Sequence, residues 1–439
     1  MNQVAGHSAE YADAVARLQA RGRFGIRLGL GRTRALLRRL GNPERGVRGV
    51  LVGGTNGKGS VQALVAAALR DSGQRVGQTP KPHLVDYRER IVVDGQPIAP
   101  VAFALLVDEV LAAADEVPSR LGPPTEFEVL TSAAFLHFAR AGVDVAVVEV
   151  GMGGRLDATN AWQGGVSAIT NVALDHTEYL GPTVVAIARE KAQIIKRGDA
   201  AALTGAEGQA LAVIARRARR VDVPLRAVEP LTVRGMDRHG LHVDLPGGEP
   251  LTIGLLGRHQ AANAALALGI LHALGAAGIG QVAPAATRRA FAAARWPGRL
   301  ELIERPGWPQ VLLDGAHNAA GAAALAAALD ELGPHLAGGR PAVLIGVLRD
   351  KDVRAMVASL RSTRLLSDAA VVTTVVPDAP RSLGAAELAA AWGRAVRPIP
   401  DLTGALAEAA ELALTSGGPL VVCGSLYLVG HIRRLVFES

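Results

Sequence analysis

The chain has 439 residues, more than one ordinary core accommodates, and the length suggests about two or three domains. Hydrophobic residues at 49% and charged residues at 20% exclude a disordered chain, and aromatics at only 3% leave Ala, Val and Leu to build the core. The net charge of +7, from 47 Lys+Arg against 40 Asp+Glu, admits a nucleic-acid partner, but no zinc spacing or RNA-recognition aromatic motif accompanies it, and attraction of polyanionic small molecules suffices.

At the N-terminus, residues 1–7 lack a basic region followed by an apolar run, so no secretory signal is expected. The first strong element is an apolar strand at 50–53, followed by Gly54-Thr55-Asn56-Gly57-Lys58-Gly59-Ser60 and a helical stretch at 61–69. Strand, glycine loop, lysine, hydroxyl and helix is the order of a phosphate-binding loop: backbone N–H groups turn on the anion, Lys58 reaches the outer phosphates and Ser60 offers a hydroxyl to Mg²⁺. The match to GxxxxGK[ST] is imperfect, since Val52 replaces the first glycine and Gly59 separates lysine from serine. A bare glycine turn is the plainer alternative.

Helices are expected at 100–117 and 126–140, and strands at 143–150, 166–170 and 200–204. This alternation argues for a parallel sheet covered on both faces. Glu149 ends a buried strand at the edge where ligands sit in such sheets, and with Ser60 it forms the carboxylate–hydroxyl pair that suits Mg²⁺; capping of the next loop is the other reading. His176, after the strand end at 170, is either a third metal ligand as neutral imidazole or a hydrogen-bonded loop residue. Lys191 reads by spacing as a surface or salt-bridge lysine. Arg216, Arg217, Arg219 and Arg220 read as a solvated helix face.

From 231 to 255 short alternating segments broken by glycines predict antiparallel hairpins, and a helix follows at 261–274. Ala294-Arg295-Trp296-Pro297-Gly298-Arg299-Leu300 reads as a domain junction. Beyond it, Arg299 and Glu301 are expected on one face of a strand, with Arg299 suited to forked phosphate contact. Strands at 310–314, 342–347, 370–376 and 420–424 alternate with Ala-rich helices such as 319–329, a second α/β domain. Asp314-Gly315-Ala316-His317-Asn318 leaves a strand for a helix, another ligand-edge position. Cys423, the single cysteine, reads as core, and its inability to form an internal disulfide fits a reducing cytoplasm. No uninterrupted apolar stretch is long enough for a membrane span.

The runs GTNGKGS, GMGGRLDATN, LDH, EKAQIIK, RHQAANA, PGRLE and LDGAHN, in that order over about residues 28–428, resemble the folylpolyglutamate synthases and dihydrofolate synthases of the Mur ligase superfamily. The resemblance implies an α/β fold with a P-loop ATPase-like domain over 1–296, a mostly parallel sheet plus small antiparallel hairpins, and a C-terminal Rossmann-like domain over 297–439, with the active site in the cleft between them. It implies ATP and Mg²⁺ as cofactors, a pterin or folate acid and L-glutamate as substrates, a cytoplasmic monomer, and no nucleic-acid or membrane partner. Asn56, Gly57, Lys58, Gly59, Ser60, Asn263, Arg299 and Asp314 would bind ATP; Ser60, Glu149 and His176 would hold Mg²⁺. Lys191 would be carbamylated and support a second metal. Thr125, Phe127, Glu128, Leu156, Asp157 and Ala158 would hold the pterin acid, and His317 would lie near the incoming amino acid. The implied chemistry is attack of the acid on the γ-phosphorus, giving an acyl phosphate that the glutamate amine then opens, with domain closure excluding water.

Three positions depart from the family pattern. Lys81 stands where SPHL has serine, and either supplies a cation there or turns outward; Gln193 replaces a glycine; and Gly22-Arg23-Phe24-Gly25 matches the pterin-contacting segment poorly. Two alternatives accompany this reading: a Mur-type ligase acting on a cell-wall precursor or another acid, and a nucleic-acid-dependent ATPase.

Overall fold

The computed structural model describes residues 2–22, 28–393 and 396–438, so Arg23, Phe24 and Gly25 lie outside the described residues. Two compact units emerge, Met1–Pro230 with Ala262–Phe291, and Leu231–Ala261 with Ala292–Ser439.

In the first unit the strands are β1 (Gly49–Gly53), β2 (Val76–Thr79), β3 (Val92–Val93), β4 (Gln96–Pro97), β5 (Val145–Glu149), β6 (Gly165–Ile169), β7 (Ala201–Thr204) and β8 (Leu225–Ala227). They form one eight-stranded sheet in the order β4-β3-β2-β5-β1-β6-β7-β8. The strands from β2 to β8 in that order run parallel, while β3 and β4 add an antiparallel edge. Every residue of β1, β5 and β6 is buried, as expected for parallel strands covered on both faces. The chain leaves β1 toward β2 on one side, whereas β6, β7 and β8 lie on the other. The carboxyl end of β1 is therefore the point where strand order reverses, the usual ligand crevice of an open α/β sheet.

The covering helices present small and aliphatic residues. Lys58–Asp71 buries Val61, Leu64, Val65, Ala68 and Leu69. Glu126–Ala141 brings the scarce aromatics together: Phe135 packs 5.4 Å from Trp162 and 6.5 Å from Phe138, centroid to centroid. Gly77 on β2 admits the Phe138 ring so closely that a Cβ there would stand 2.9 Å from it.

The second unit holds β9 (Thr232–Asp237), β10 (Gly240–Asp244) and β11 (Pro250–Ile253), an antiparallel three-stranded sheet as the alternating pattern predicts. It also holds β12 (Glu301–Ile303), β13 (Val311–Asp314), β14 (Ala342–Ile345), β15 (Ala370–Thr373), β16 (Val396–Pro398) and β17 (Leu420–Cys423), in the order β12-β13-β17-β14-β15-β16. All neighbours in this sheet are parallel except β12 against β13. Cys423 is fully buried on its strand, as read from the sequence, and burial pushes its thiol pKa up. The Ala-rich run becomes the packed helix Ala319–Leu332, N-capped by Asn318, whose Oδ1 accepts from Gly321 N at 2.7 Å.

One local expectation fails. Arg299 and Glu301 do not share a strand face, because β12 begins at Glu301 and Leu300 adopts φ +47°, which breaks the extended register. Arg299 lies in the preceding bend, while Glu301 accepts from Gly298 N (2.8 Å) and pairs with Arg433 (3.0 Å).

Candidate functional site

The glycine loop follows β1 and opens the helix Lys58–Asp71, with Gly57 at its N-cap. Gly54 has φ +138° and Gly57 has φ +84°, so both use backbone that side chains disfavour. Space forbids side chains as well: a Cβ on Gly54 would stand 1.8 Å from Thr170 Oγ1, and one on Gly57 2.3 Å from Asn263 Oδ1. The loop is braced by the carboxyl end of β6. Thr55 N donates to Asn171 O (2.9 Å), Asn56 N to Asn171 Oδ1 (2.9 Å), and Thr170 Oγ1 to Asn56 O (2.6 Å). Thr170 and Asn171 are functional supports that the sequence flagged only as a polar run at a strand end.

Lys58 folds back over this loop, donating from Nζ to Gly54 O (3.2 Å) and Thr55 O (3.0 Å). Lys191 approaches the same loop from the helix Val184–Ala192 and donates to Gly54 O at 2.8 Å. The surface-lysine reading of Lys191 is corrected here, since the residue is only 5% exposed. Burial, with Lys58 nearby, lowers its pKa from 10.5 to about 7, against weaker opposition from Asp175 and Asp157. The residues around it explain the burial. Arg155 pairs with Glu190 at 3.0 Å, and Asn160 links to Gln193 O and Lys196 Nζ, so two sequence motifs knit together beneath the loop.

Glu149 is 3% exposed at the carboxyl end of β5, in register with Val52 of β1. Its Oε2 accepts from Lys81 N at 3.1 Å. Ser60 lies in the first turn of the helix after the loop, 6% exposed. Together Glu149 and Ser60 provide hard oxygen donors on neighbouring elements, a set that fits Mg²⁺ completing its shell with water and phosphate oxygen. His176 follows β6 with φ +49°; its side chain is exposed and its Nε2 stands 3.8 Å from Asp175 Oδ2. Among the described residues no three His, Cys, Asp or Glu side chains form a ready metal cage.

Lys81 turns inward. Its Nζ donates to Glu149 O at 2.8 Å and lies 4.6 Å from the centroid of the Phe127 ring. Desolvation lowers its pKa from 10.5 to about 8, opposed by Asp157 and Glu149. Phe127 presses on Gly151, where a Cβ would stand 2.7 Å from the ring and 3.0 Å from Asp157 Oδ2. Asp157 caps the turn Ala158–Ala161, accepting from Thr159 N (3.0 Å), Thr159 Oγ1 (2.6 Å) and Met152 N (2.9 Å). Ala158 is buried and Leu156 half-buried beside it. Thr125 and Glu128 form a capping box at the start of Glu126–Ala141, and the buried Glu128 carboxylate also pairs with Arg32 at 2.9 Å. Sequence reading missed Arg32, which has no local signal.

In the second unit Asp314 ends β13, 9% exposed, with Oδ2 accepting from Leu300 N (2.9 Å) and Oδ1 from Ala316 N (2.8 Å). Burial raises its pKa, with Arg299 and those two N–H groups opposing. Arg299 reaches Gly315 O at 3.4 Å. His317 Nδ1 donates to Gly315 O at 2.9 Å, which places the acceptor lone pair of the neutral ring on Nε2. His259 is held neutral: burial and Arg299 lower its pKa to about 4.

Two domain families match the chain in succession: the Mur ligase middle domain over residues 52–271 and the Mur ligase glutamate ligase domain over 298–426. With a nucleotide-type loop at the reversal point of its sheet, the chain is a Mur-type ligase, an ATP-dependent enzyme that joins an acid to an amino acid. Among curated relatives, dihydrofolate synthase/folylpolyglutamate synthase of Bacillus subtilis is 33% identical, over 97% of this chain and 98% of its own length. Folylpolyglutamate synthase of Mycobacterium tuberculosis complexed with ADP and AMPPCP has TM-score 0.87 at 34% identity, over 99% of each chain. Escherichia coli FolC in complex with DHPP and ADP has TM-score 0.81 at 30% identity, over 97% of this chain and 98% of its own. The chain belongs to the dihydrofolate synthase/folylpolyglutamate synthase family.

Proposed function

We propose that this enzyme activates the carboxylate of dihydropteroate, of a folate, or of both with ATP and joins L-glutamate to it. The observation that carries the reading is the Gly54–Ser60 loop with Lys58 and Lys191 on its backbone and Glu149 at the adjoining strand end. A carboxylate is a weak acyl donor because its charge is delocalised and hydrated. Its attack on the γ-phosphorus releases ADP and forms an acyl phosphate; the glutamate amine then attacks the acyl carbon and phosphate leaves. Such transfer needs positioning and charge neutralisation more than a protein nucleophile. The backbone N–H groups of Gly57, Gly59 and Ser60 seat the phosphates, Asn56 binds ATP from a loop position braced by Asn171, Lys58 leaves its carbonyl partners for the outer phosphates, and Asn263 beside Gly57 fixes the loop against the nucleotide. In the second unit, Arg299 and Asp314 at the carboxyl end of β13 are the groups that the family resemblance assigns to the nucleotide.

Mg²⁺ would be held by Ser60 and Glu149, with His176 at the rim, and when bound supplies positive charge to the phosphate oxygens. Phe127, Leu156, Asp157 and Ala158 hold the pterin acid, with Thr125 and Glu128 setting the helix that carries Phe127. His317, its ring oriented by the Nδ1 bond to Gly315 O, lies near the incoming amino acid in this reading. The uncharged Lys191 amine is the form that adds CO₂, and its carbamate would face Lys58. Functionally the chain divides into an ATP-binding domain over 1–296 and a ligase domain over 297–439; the family boundaries at 271 and 298 support this division, although residues 231–261 and 292–296 belong to the second compact unit. It works as a cytoplasmic monomer, a setting suited to its one buried cysteine. Among the described residues no helix is long and apolar enough to cross a membrane.

The test is purified protein with ATP, Mg²⁺ and labelled glutamate, offered dihydropteroate and tetrahydrofolate in separate tubes. Label in a pterin product with matching ADP supports the reading and separates the two acids; ATP hydrolysis indifferent to either acid overturns it.

A further inference from the structure

Lys81 is a charged residue beside the candidate metal ligand Glu149 that neither the nucleotide nor the pterin reading uses. Its backbone N–H occupies Glu149 Oε2 (3.1 Å), and its ammonium is anchored on Glu149 O (2.8 Å) and over the Phe127 ring (4.6 Å). The carboxylates that attract it are Asp157 and Glu149, both 5% exposed or less, and Arg90 is the cation that opposes it. Buried carboxylates are the hard oxygen donors a divalent ion selects, and both of these act on the Lys81 ammonium. Here a tethered positive charge stands 2.8 Å from Glu149 O, close enough to repel a second doubly charged ion at that residue.

We propose that the Lys81 ammonium, held against Glu149 and Phe127, stands in the place of a second divalent cation at Glu149, so that this enzyme binds one Mg²⁺ per nucleotide, at Ser60 and Glu149. The inference rests on Glu149 being a metal ligand. Lys81 is a positioning residue in this account: it neutralises the two carboxylates and holds Phe127 without touching the transferred phosphoryl group. Replacing it by serine removes the charge, opens space beside Glu149 and adds a hydroxyl donor.

Bound Mn²⁺ counted by electron paramagnetic resonance in the presence of AMPPCP tests this, in the wild type, Lys81→Ser and Lys81→Arg. One Mn²⁺ per bound nucleotide is expected in the wild type and in Lys81→Arg, and two in Lys81→Ser. Two in the wild type overturn the inference, whatever the variants do, as does one in a folded, nucleotide-binding Lys81→Ser. No Mn²⁺ beside bound nucleotide in the wild type overturns instead the assignment of Glu149 as a ligand, and the inference with it.

Discussion

The buried amine of Lys191 makes stability depend on pH in a way a surface lysine cannot. The folded chain protonates it only below about pH 7, whereas the unfolded chain does so below 10.5. Between those values unfolding takes up a proton, so the fold gains stability as pH rises through the window; the penalty is largest below pH 7 and vanishes above 10.5. Each pH unit is worth about 1.4 kcal/mol, and integrating from pH 7.5 to 9.5 gives a gain of about 2.5 kcal/mol. Lys191→Met lacks this term. It also removes the 2.8 Å bond to Gly54 O, which keeps Lys58 as a donor, at a cost of about 1 kcal/mol that is independent of pH. Urea unfolding of both proteins in CO₂-free buffer, followed by a probe in the first unit, isolates the difference. The wild type is expected to gain about 2.5 kcal/mol on the variant across the interval. A difference that stays constant with pH would mean that Lys191 is charged in the fold, and the electrostatic account of this site would be wrong.

Lys58→Ala is expected to abolish ATP-dependent amide formation with the circular dichroism spectrum unchanged, because its bonds to the Gly54 and Thr55 carbonyls are worth about 1 kcal/mol each; wild-type turnover would remove Lys58 from the mechanism. Gly57→Ala forces a Cβ to within 2.3 Å of Asn263 Oδ1 at φ +84°, so the loop must shift by roughly 1 Å and turnover should fall about 100-fold with a much smaller loss of stability; steady-state kinetics beside thermal melting read both. Arg32→Met leaves the buried Glu128 carboxylate without its cation and should cost about 3–5 kcal/mol in denaturant unfolding, while a cost below about 1 kcal/mol would mean Glu128 is protonated or hydrated there.

Local chemistry made much of this legible. β1, the glycine loop and the following helix are contiguous in sequence, and each obeys a short-range rule: apolar run, glycines where φ is positive, then a helix former. The hairpins β9–β11 announce themselves by alternation and glycine turns. What escaped depends on distance along the chain. Arg32 meets Glu128 across 96 residues and Lys191 meets Gly54 across 137, and no local pattern tells a buried lysine from a solvated one. Strands β2, β3, β4, β8 and β16 are two to four residues long, too short to register a period of two. Arg299 and Glu301 were separated by a single residue with positive φ, which alternation counting assumes away. The inward turn of Lys81 follows from Glu149 and Phe127, neither of them its neighbour in sequence.

The most direct measurement is a crystal structure with AMPPCP and Mg²⁺. The account predicts the phosphates seated on the backbone of residues 54–60, with Lys58 on the outer phosphates and the metal between Ser60 and Glu149. Nucleotide density away from Lys58 and Glu149 would contradict it.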